Sequence, residues 1–159
     1  MSNSNFSVYF QAKRLANDNW QEAIRRLENL DLKHMDFLKS EQELTPNATL
    51  EEVLKHAYET VQRWAVGIEQ VTLDQALYES NSLENFRKIE GDIVMILCEL
   101  NFAMVRKNIQ FVNNVPKSIM HDDLKNTKGT SAREIRDLYI LNAYLQGLRD
   151  LDGIFKNFS

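Results

Sequence analysis

The stretch "NNVPKSIMHDDLKNTKGT", residues 113–130, decides how the helices of this chain are arranged. It holds one of the two prolines and has no helical period, although the sequence on both sides has the apolar repeat of a helix. Adjacent antiparallel helices are usually joined by about 2–8 residues. A connection of 18 residues therefore predicts that the two flanking helices are not simple antiparallel neighbours.

The composition predicts a single all-α domain over residues 1–159. A hydrophobic content of 43% with 26% charged residues is typical of a soluble globular chain. Five Gly and two Pro are too few turn formers for an all-β protein. No stretch approaches the roughly 20 apolar residues of a membrane span. A net charge of -4 without a basic run argues against nucleic-acid binding.

Two amphipathic helices are predicted in the first half of the chain. The first runs from about Phe6, and we place its end near Leu30, although apolar residues continue beyond that point without Gly or Pro. Its apolar stripe consists of Ala16, Trp20, Ala23, Leu27 and Leu30. The second begins at the capping box "TLEE", residues 49–52, and reaches Val71 or Leu77.

Two more helices are predicted in the second half. Ser82 can cap the third helix after the short connection 78–82. The run "DIVMILCELNFAMV" is apolar on most of its circumference, which predicts the most buried helix and an inert, buried thiol at Cys98. A capping box, "SARE" at 131–134, opens the fourth helix.

The lengths of the connections predict the topology. A third helix of about 28 residues is about 42 Å long, whereas an 18-residue connection can extend to about 60 Å. Segment 113–130 can therefore return along the whole bundle, and segment 31–48 allows the same between the first two helices. The short connection 78–82 forces the second and third helices to be antiparallel. The pattern predicts a four-helix bundle of up-up-down-down topology with two long crossover connections.

In these features the chain resembles the long-chain helical cytokine superfamily. Its last helix, "SAREIRDLYILNAYLQGLRDLDGIF", is similar to the final helix of interferon-beta or ciliary neurotrophic factor. The resemblance implies a secreted signalling ligand that binds a cell-surface protein receptor through the outer faces of its first, third and fourth helices and its first long connection. Most such cytokines have disulfides and a signal peptide, whereas this chain has one cysteine and the polar start "MSNSN". Ciliary-neurotrophic-factor-like members lack both.

The partner-binding surface is predicted from clusters of arginine on the charged sides of the first and fourth helices. The planar guanidinium pairs with receptor carboxylates through two hydrogen bonds, and protein interfaces are enriched in Arg. The predicted partner-binding residues are Arg14, Arg25, Arg26, Arg133, Arg136 and Arg149.

No catalytic, cofactor-binding or metal-binding residues are predicted. No Glu has a His three residues later, as di-metal bundles require, and the sequence has no Gly-rich phosphate loop. His34, His56 and the "HDD" of residues 121–123 are interpreted as ordinary surface groups. The alternative to a secreted ligand is a cytoplasmic or pathogen-derived helical adaptor that binds a protein partner without catalysis, which the single cysteine favours.

Overall fold

The computed structural model of the protein describes residues 32–110 and 114–158, in which all regular structure is helical. The α-helices are α1 (Leu50–Leu77), α2 (Leu83–Arg106), α3 (Asp122–Lys125) and α4 (Thr130–Phe155). Short 3-10 helices span Leu32–Leu38, Lys117–Ile119 and Lys156–Phe158. The all-α prediction is confirmed, and α1, α2 and α4 are the predicted second, third and fourth helices. The predicted first helix, from Phe6 to Leu30, lies outside the described residues.

One of the three predicted helix caps is formed as expected. The Thr49 backbone N–H donates to the Glu52 carboxylate at 2.7 Å, and the Thr49 hydroxyl accepts from the Glu52 backbone N–H at 3.3 Å. Ser82 makes no side-chain cap bond, because its backbone is already helical rather than extended. Helix α4 begins at Thr130, after Gly129 with a φ of 88°, so the predicted box at 131–134 lies inside the helix and does not cap it.

Helix α1 is the centre of the fold, and it packs against both α2 and α4. Thr72 lies beside the Glu90 carboxyl group of α2, and Tyr58 lies near Cys98 on α2. A residue near the end of α1 therefore lies beside the first half of α2, and an earlier residue of α1 lies beside a later residue of α2. The two helices are antiparallel, as their short connection predicts.

Helix α4 is also antiparallel to α1. Trp64 packs edge-on against Tyr144 with ring centroids 5.8 Å apart, and Gln75 donates to the Asp137 carboxylate at 3.0 Å. Trp64 comes before Gln75 in α1, whereas its neighbour Tyr144 comes after Asp137 in α4, so the two helices run in opposite directions. It follows that α2 and α4 run in the same direction.

The first long connection lies along α1. Arg63, which is buried, donates to the Phe37 carbonyl oxygen at 3.2 Å and pairs with Glu41 at 3.1 Å. Further along, the Gln42 carbonyl oxygen lies 2.9 Å from Nδ1 of His56. Residues 37–42 therefore run toward the N-terminus of α1.

The second long connection also lies along α1, in the opposite direction. The Val115 backbone N–H donates to the Gln62 side chain at 3.0 Å, and Lys117 pairs with Glu69. Leu124 then accepts a hydrogen bond from Arg136 at 2.8 Å, at the start of α4. The residues described within 107–129 thus carry the chain back along α1, as the length of the connection predicts.

The prediction that the third helix is the most buried is wrong. Among the described residues, α1 contributes more buried hydrophobic side chains than any other helix, because α2, α4 and both connections pack around it. Helix α2 buries only one side, formed by Phe86, Ile89, Ile93, Leu100 and Met104. Cys98 is exposed, so the prediction of a buried thiol is also wrong.

Candidate functional site

The outward side of α2 is an exposed apolar surface, which we call the α2 outer face. Phe102 follows Ile93 by nine residues and, at about 100° per residue, lies on the side opposite that core residue. The face consists of Val94, Met95, Cys98, Phe102 and Val105. Its four large side chains are 59–65% exposed. The second apolar side of this helix is thus directed away from α1 instead of into a core.

The composition of the α2 outer face is typical of a protein-binding surface. Contiguous exposed apolar patches mark interaction sites, and interface centres are enriched in Phe, Met and Arg. The guanidinium of Arg106 lies 5.7 Å from the centroid of the Phe102 ring and borders the face. This face was not among the predicted partner-binding surfaces, because that prediction was based on clusters of arginine. The signal in the sequence was the all-round apolarity of "DIVMILCELNFAMV".

Two of the predicted partner-binding arginines lie at the surface of α4. Arg149 is exposed, and Arg133 is half-buried with its guanidinium 3.8 Å from the centroid of the Tyr78 ring. Tyr78 is 59% exposed and directly follows Leu77, which is 66% exposed at the end of α1. Arg133 therefore borders a second exposed apolar group. Arg14, Arg25 and Arg26 lie outside the described residues.

Arg136 is not on the solvent side, so the prediction of its exposure is wrong. It is 3% exposed and donates to Asp74 and to Asp137, each at 2.5 Å. Arg136, Ile140 and Tyr144 recur every four residues and lie on the buried side of α4. The acidic partner in α1 is far away in the sequence, so no local pattern could indicate this burial.

Asp137 belongs to the same buried cluster and is 7% exposed. Burial raises the pKa of Asp137, and the neighbouring Arg136 guanidinium opposes that shift. Gln75 donates to Asp137, and Gln70 donates to Asp74 at 3.2 Å. The cluster ties α1 to α4 in the interior, which suits a structural role rather than contact with a partner.

An open cleft of about 620 Å³ lies where the two long connections meet. Its lining includes His34, Phe37 and Arg63 from one side and Ile119 and His121 from the other. The imidazole rings of His34 and His121 stack with centroids 4.0 Å apart and planes 6° apart. No local pattern in the sequence indicates this pair, because the two residues come from different connections.

Comparisons with known proteins return no relatives: no family model, no curated protein and no solved structure matches the chain. Within the described helices, none has the length and apolarity needed to cross a membrane. The function of the protein is therefore inferred from the surfaces described above.

Proposed function

We propose that this protein is a secreted, cytokine-like signalling ligand that binds a cell-surface protein receptor through exposed helix faces. The observation that carries this proposal is the α2 outer face, whose large apolar side chains are 59–65% exposed on the side opposite the core. This is the third predicted helix, one of those whose outer faces bind receptors in the cytokines that the chain resembles.

The proposal includes an up-up-down-down bundle with residues 6–30 as its first helix. Residues 37–42 run toward the N-terminus of α1, so the chain reaches this helix from the direction of its C-terminal end. A first helix that ends there is parallel to α1. The position between α2 and α4, diagonal to α1, suits its apolar stripe, because α1 already packs against both of those helices.

A first helix in that position leaves the α2 outer face uncovered. In the proposed arrangement the contact is with the flank of α2 on which Asp92, Ile96 and Ala103 are half-buried, and Asp92 of this flank lies near Tyr144 of α4. By helical spacing that flank is about 130° from the centre of the outer face. The outer face therefore remains available to a partner.

Arginines at the surface extend the proposed receptor contacts beyond the apolar face. Arg133 and Arg149 contribute from α4, and the predicted residues Arg14, Arg25 and Arg26 contribute from the first helix. Arg136 is removed from the set, because it is 3% exposed and its donors are used in the interior. An apolar centre bordered by arginine is the arrangement in which single side chains dominate binding energy.

A cytoplasmic adaptor is the second candidate, and Cys98 favours it. This thiol is exposed in the middle of the proposed binding surface, and it is the single cysteine of the chain. An exposed free thiol persists most readily in a reducing compartment. The same α2 outer face would then bind an intracellular protein.

Placing charge on the α2 outer face tests the proposed function. In the double variant Val94→Glu/Phe102→Glu, both positions are 59% exposed, so the melting temperature should change by only a few degrees. Binding of the fluorescently labelled protein to intact cells should be saturable for the native chain. The double variant should bind at least about 30-fold more weakly, because removing interface anchors costs about 2 kcal/mol or more.

The matched control is Lys88→Glu/Glu99→Lys, which changes exposed polar residues of the same helix and should leave cell binding unchanged. Equal binding by the Val94→Glu/Phe102→Glu variant and the native chain would refute the surface. Saturable binding confined to permeabilised cells would favour the adaptor. If sedimentation instead shows a native dimer that the variant converts to monomer, the face is a self-association surface and the receptor proposal fails.

A further inference from the structure

His34, His121 and Asp123 bring three metal-ligating side chains together where the two long connections meet. His34 lies in the 3-10 helix of the first connection, and the other two residues lie at the start of α3 in the second. Oδ2 of Asp123 is 3.4 Å from Nδ1 of His121 and 3.9 Å from Nε2 of His34. One ligand atom from each of the three residues lies within 4.8 Å of the other two.

These separations are close to those that a zinc ion requires. Zn²⁺ bonds to imidazole nitrogen and carboxylate oxygen are about 2.0–2.2 Å, so neighbouring ligand atoms of a tetrahedral site are about 3.3–3.5 Å apart. The observed 3.4 and 3.9 Å differ from that by a few tenths of an ångström. The imidazoles of His34 and His121 are stacked 4.0 Å apart, so the His34 ring must also rotate out of this stack to direct its lone pair at the ion. The side chains of His34 and Asp123 are 39% and 78% exposed, so both can move without disturbing the core.

The electrostatic surroundings also suit a cation. In the residues that the structure describes, the Asp123 carboxylate has no Lys or Arg within ion-pair distance; the groups at that distance are the imidazoles of His34 and His121. The nearby cations are already occupied, since Lys39 pairs with Asp36, and Arg63 pairs with glutamates. The negative charge at this site is therefore not neutralised by a fixed cation of the cleft.

The hydrogen bonding of His121 leaves a suitable lone pair. Its Nδ1 accepts a hydrogen bond from the Asp123 backbone N–H at 3.2 Å, which requires that this nitrogen carry no proton. An unprotonated ring nitrogen is the form that binds a metal. A metal at this nitrogen would replace that long hydrogen bond.

We propose that His34, His121 and Asp123 bind Zn²⁺, with a water molecule as the fourth ligand. Two imidazoles and one carboxylate are a donor set that suits zinc, whereas calcium and magnesium prefer oxygen ligands throughout. Because the ligands come from both long connections, the ion ties these connections to each other across the surface of α1. The site is independent of the α2 outer face.

Titration of tag-free protein with Zn²⁺ and with Co²⁺, as the spectroscopic probe, tests the site. We expect one ion per chain by calorimetry and the visible absorption of four-coordinate Co²⁺. Zinc at about 100 times its Kd should raise the melting temperature by about 5–10 °C, because the ion binds the folded chain. The absence of Zn²⁺ and Co²⁺ binding would overturn the proposal.

Single substitutions assign the ion to this cluster. His34→Gln and Asp123→Asn should each weaken Zn²⁺ binding by at least about 100-fold and abolish the Co²⁺ spectrum. His56→Gln is the matched control, since it changes the third histidine of the chain, which contacts Gln42 instead, and it should bind zinc as the native protein does. Unchanged binding by both cluster variants, or loss of binding in the His56 variant alone, would overturn the assignment. Far-UV circular dichroism of each variant separates loss of the site from loss of the fold.

Discussion

Replacing Arg136 by Met should lower the free energy of unfolding by about 3–5 kcal/mol. Arg136 is 3% exposed, and its guanidinium is the cation between the carboxylates of Asp74 and Asp137, each 7% exposed. Without it, two buried carboxylates face each other with only glutamine donors. Urea denaturation of the native and variant proteins measures the difference.

Arg149→Met is the matched control on the same helix, because Arg149 is exposed and its replacement should cost about 0–1 kcal/mol. In a background in which Asp74→Asn and Asp137→Asn remove both carboxylates, the additional cost of Arg136→Met should be much smaller, since no buried charge is left unpaired. A loss of less than 1 kcal/mol in the single variant would contradict the assignment of Arg136 to a buried ion cluster.

The difference in free energy of unfolding between the native protein and the Arg136→Met variant should become smaller as the pH falls. Burial raises the pKa of Asp137, so the folded protein holds this proton more tightly than the unfolded chain does. The resulting stabilisation is fully present below the unfolded pKa of about 3.9 and is lost as the pH rises through the folded pKa. Loss of the guanidinium raises the folded pKa further, so the variant gains more from acid than the native protein. Denaturation at a series of pH values between neutrality and about 4 checks this result.

Replacing Gly147 by Ala should also destabilise the protein strongly, by about 1–3 kcal/mol or more. A Cβ at Gly147 would lie 2.0 Å from Cζ2 and 2.6 Å from Cη2 of the Trp64 ring. Trp64 is 3% exposed and packs edge-on against Tyr144, so the ring has no free space into which to move. The overlap outweighs the gain in helix propensity of about 1 kcal/mol that Ala brings relative to Gly.

Gly153→Ala on the same helix is the control, because it brings the same gain in helix propensity without the overlap. A Cβ at Gly153 has no atom within 4 Å, so this variant should be as stable as the native protein or more stable by up to about 1 kcal/mol. Thermal unfolding of both variants gives the comparison. Similar melting temperatures for the two would contradict the close contact between α4 and the Trp64 ring.

Local patterns in the sequence predicted the three long helices that the structure describes and the connections between them. The Thr49–Glu52 box marks the start of α1, because both of its hydrogen bonds form within one turn. Apolar spacing predicts an end at Val71 or Leu77, and α1 ends at Leu77. The length of segment 113–130 predicts a long return path, and its described residues return along α1; a short link between antiparallel helices needs far fewer residues.

The surfaces and the buried charges depend on long-range contacts that no local pattern contains. From the sequence alone, Arg136 resembles a solvated arginine, because its ion-pair partner Asp74 lies in a different helix, α1. The run around Cys98 is apolar on two sides, and the sequence does not show that only one side meets the core. The rings of His34 and His121 stack because the two long connections that carry them meet beside α1.

The proposed cytokine-like topology requires the first helix to be parallel to α1, and pulsed electron paramagnetic resonance between two spin labels tests this directly. In a Cys98→Ser background, Gln11→Cys is combined either with Glu51→Cys near the start of α1 or with Ala76→Cys near its end. Positions 51 and 76 are about 37 Å apart along the helix axis. The parallel arrangement predicts that the label at 11 is clearly closer to the label at 51 than to the label at 76. The reverse order of the two distances would show an antiparallel first helix and contradict the up-up-down-down bundle.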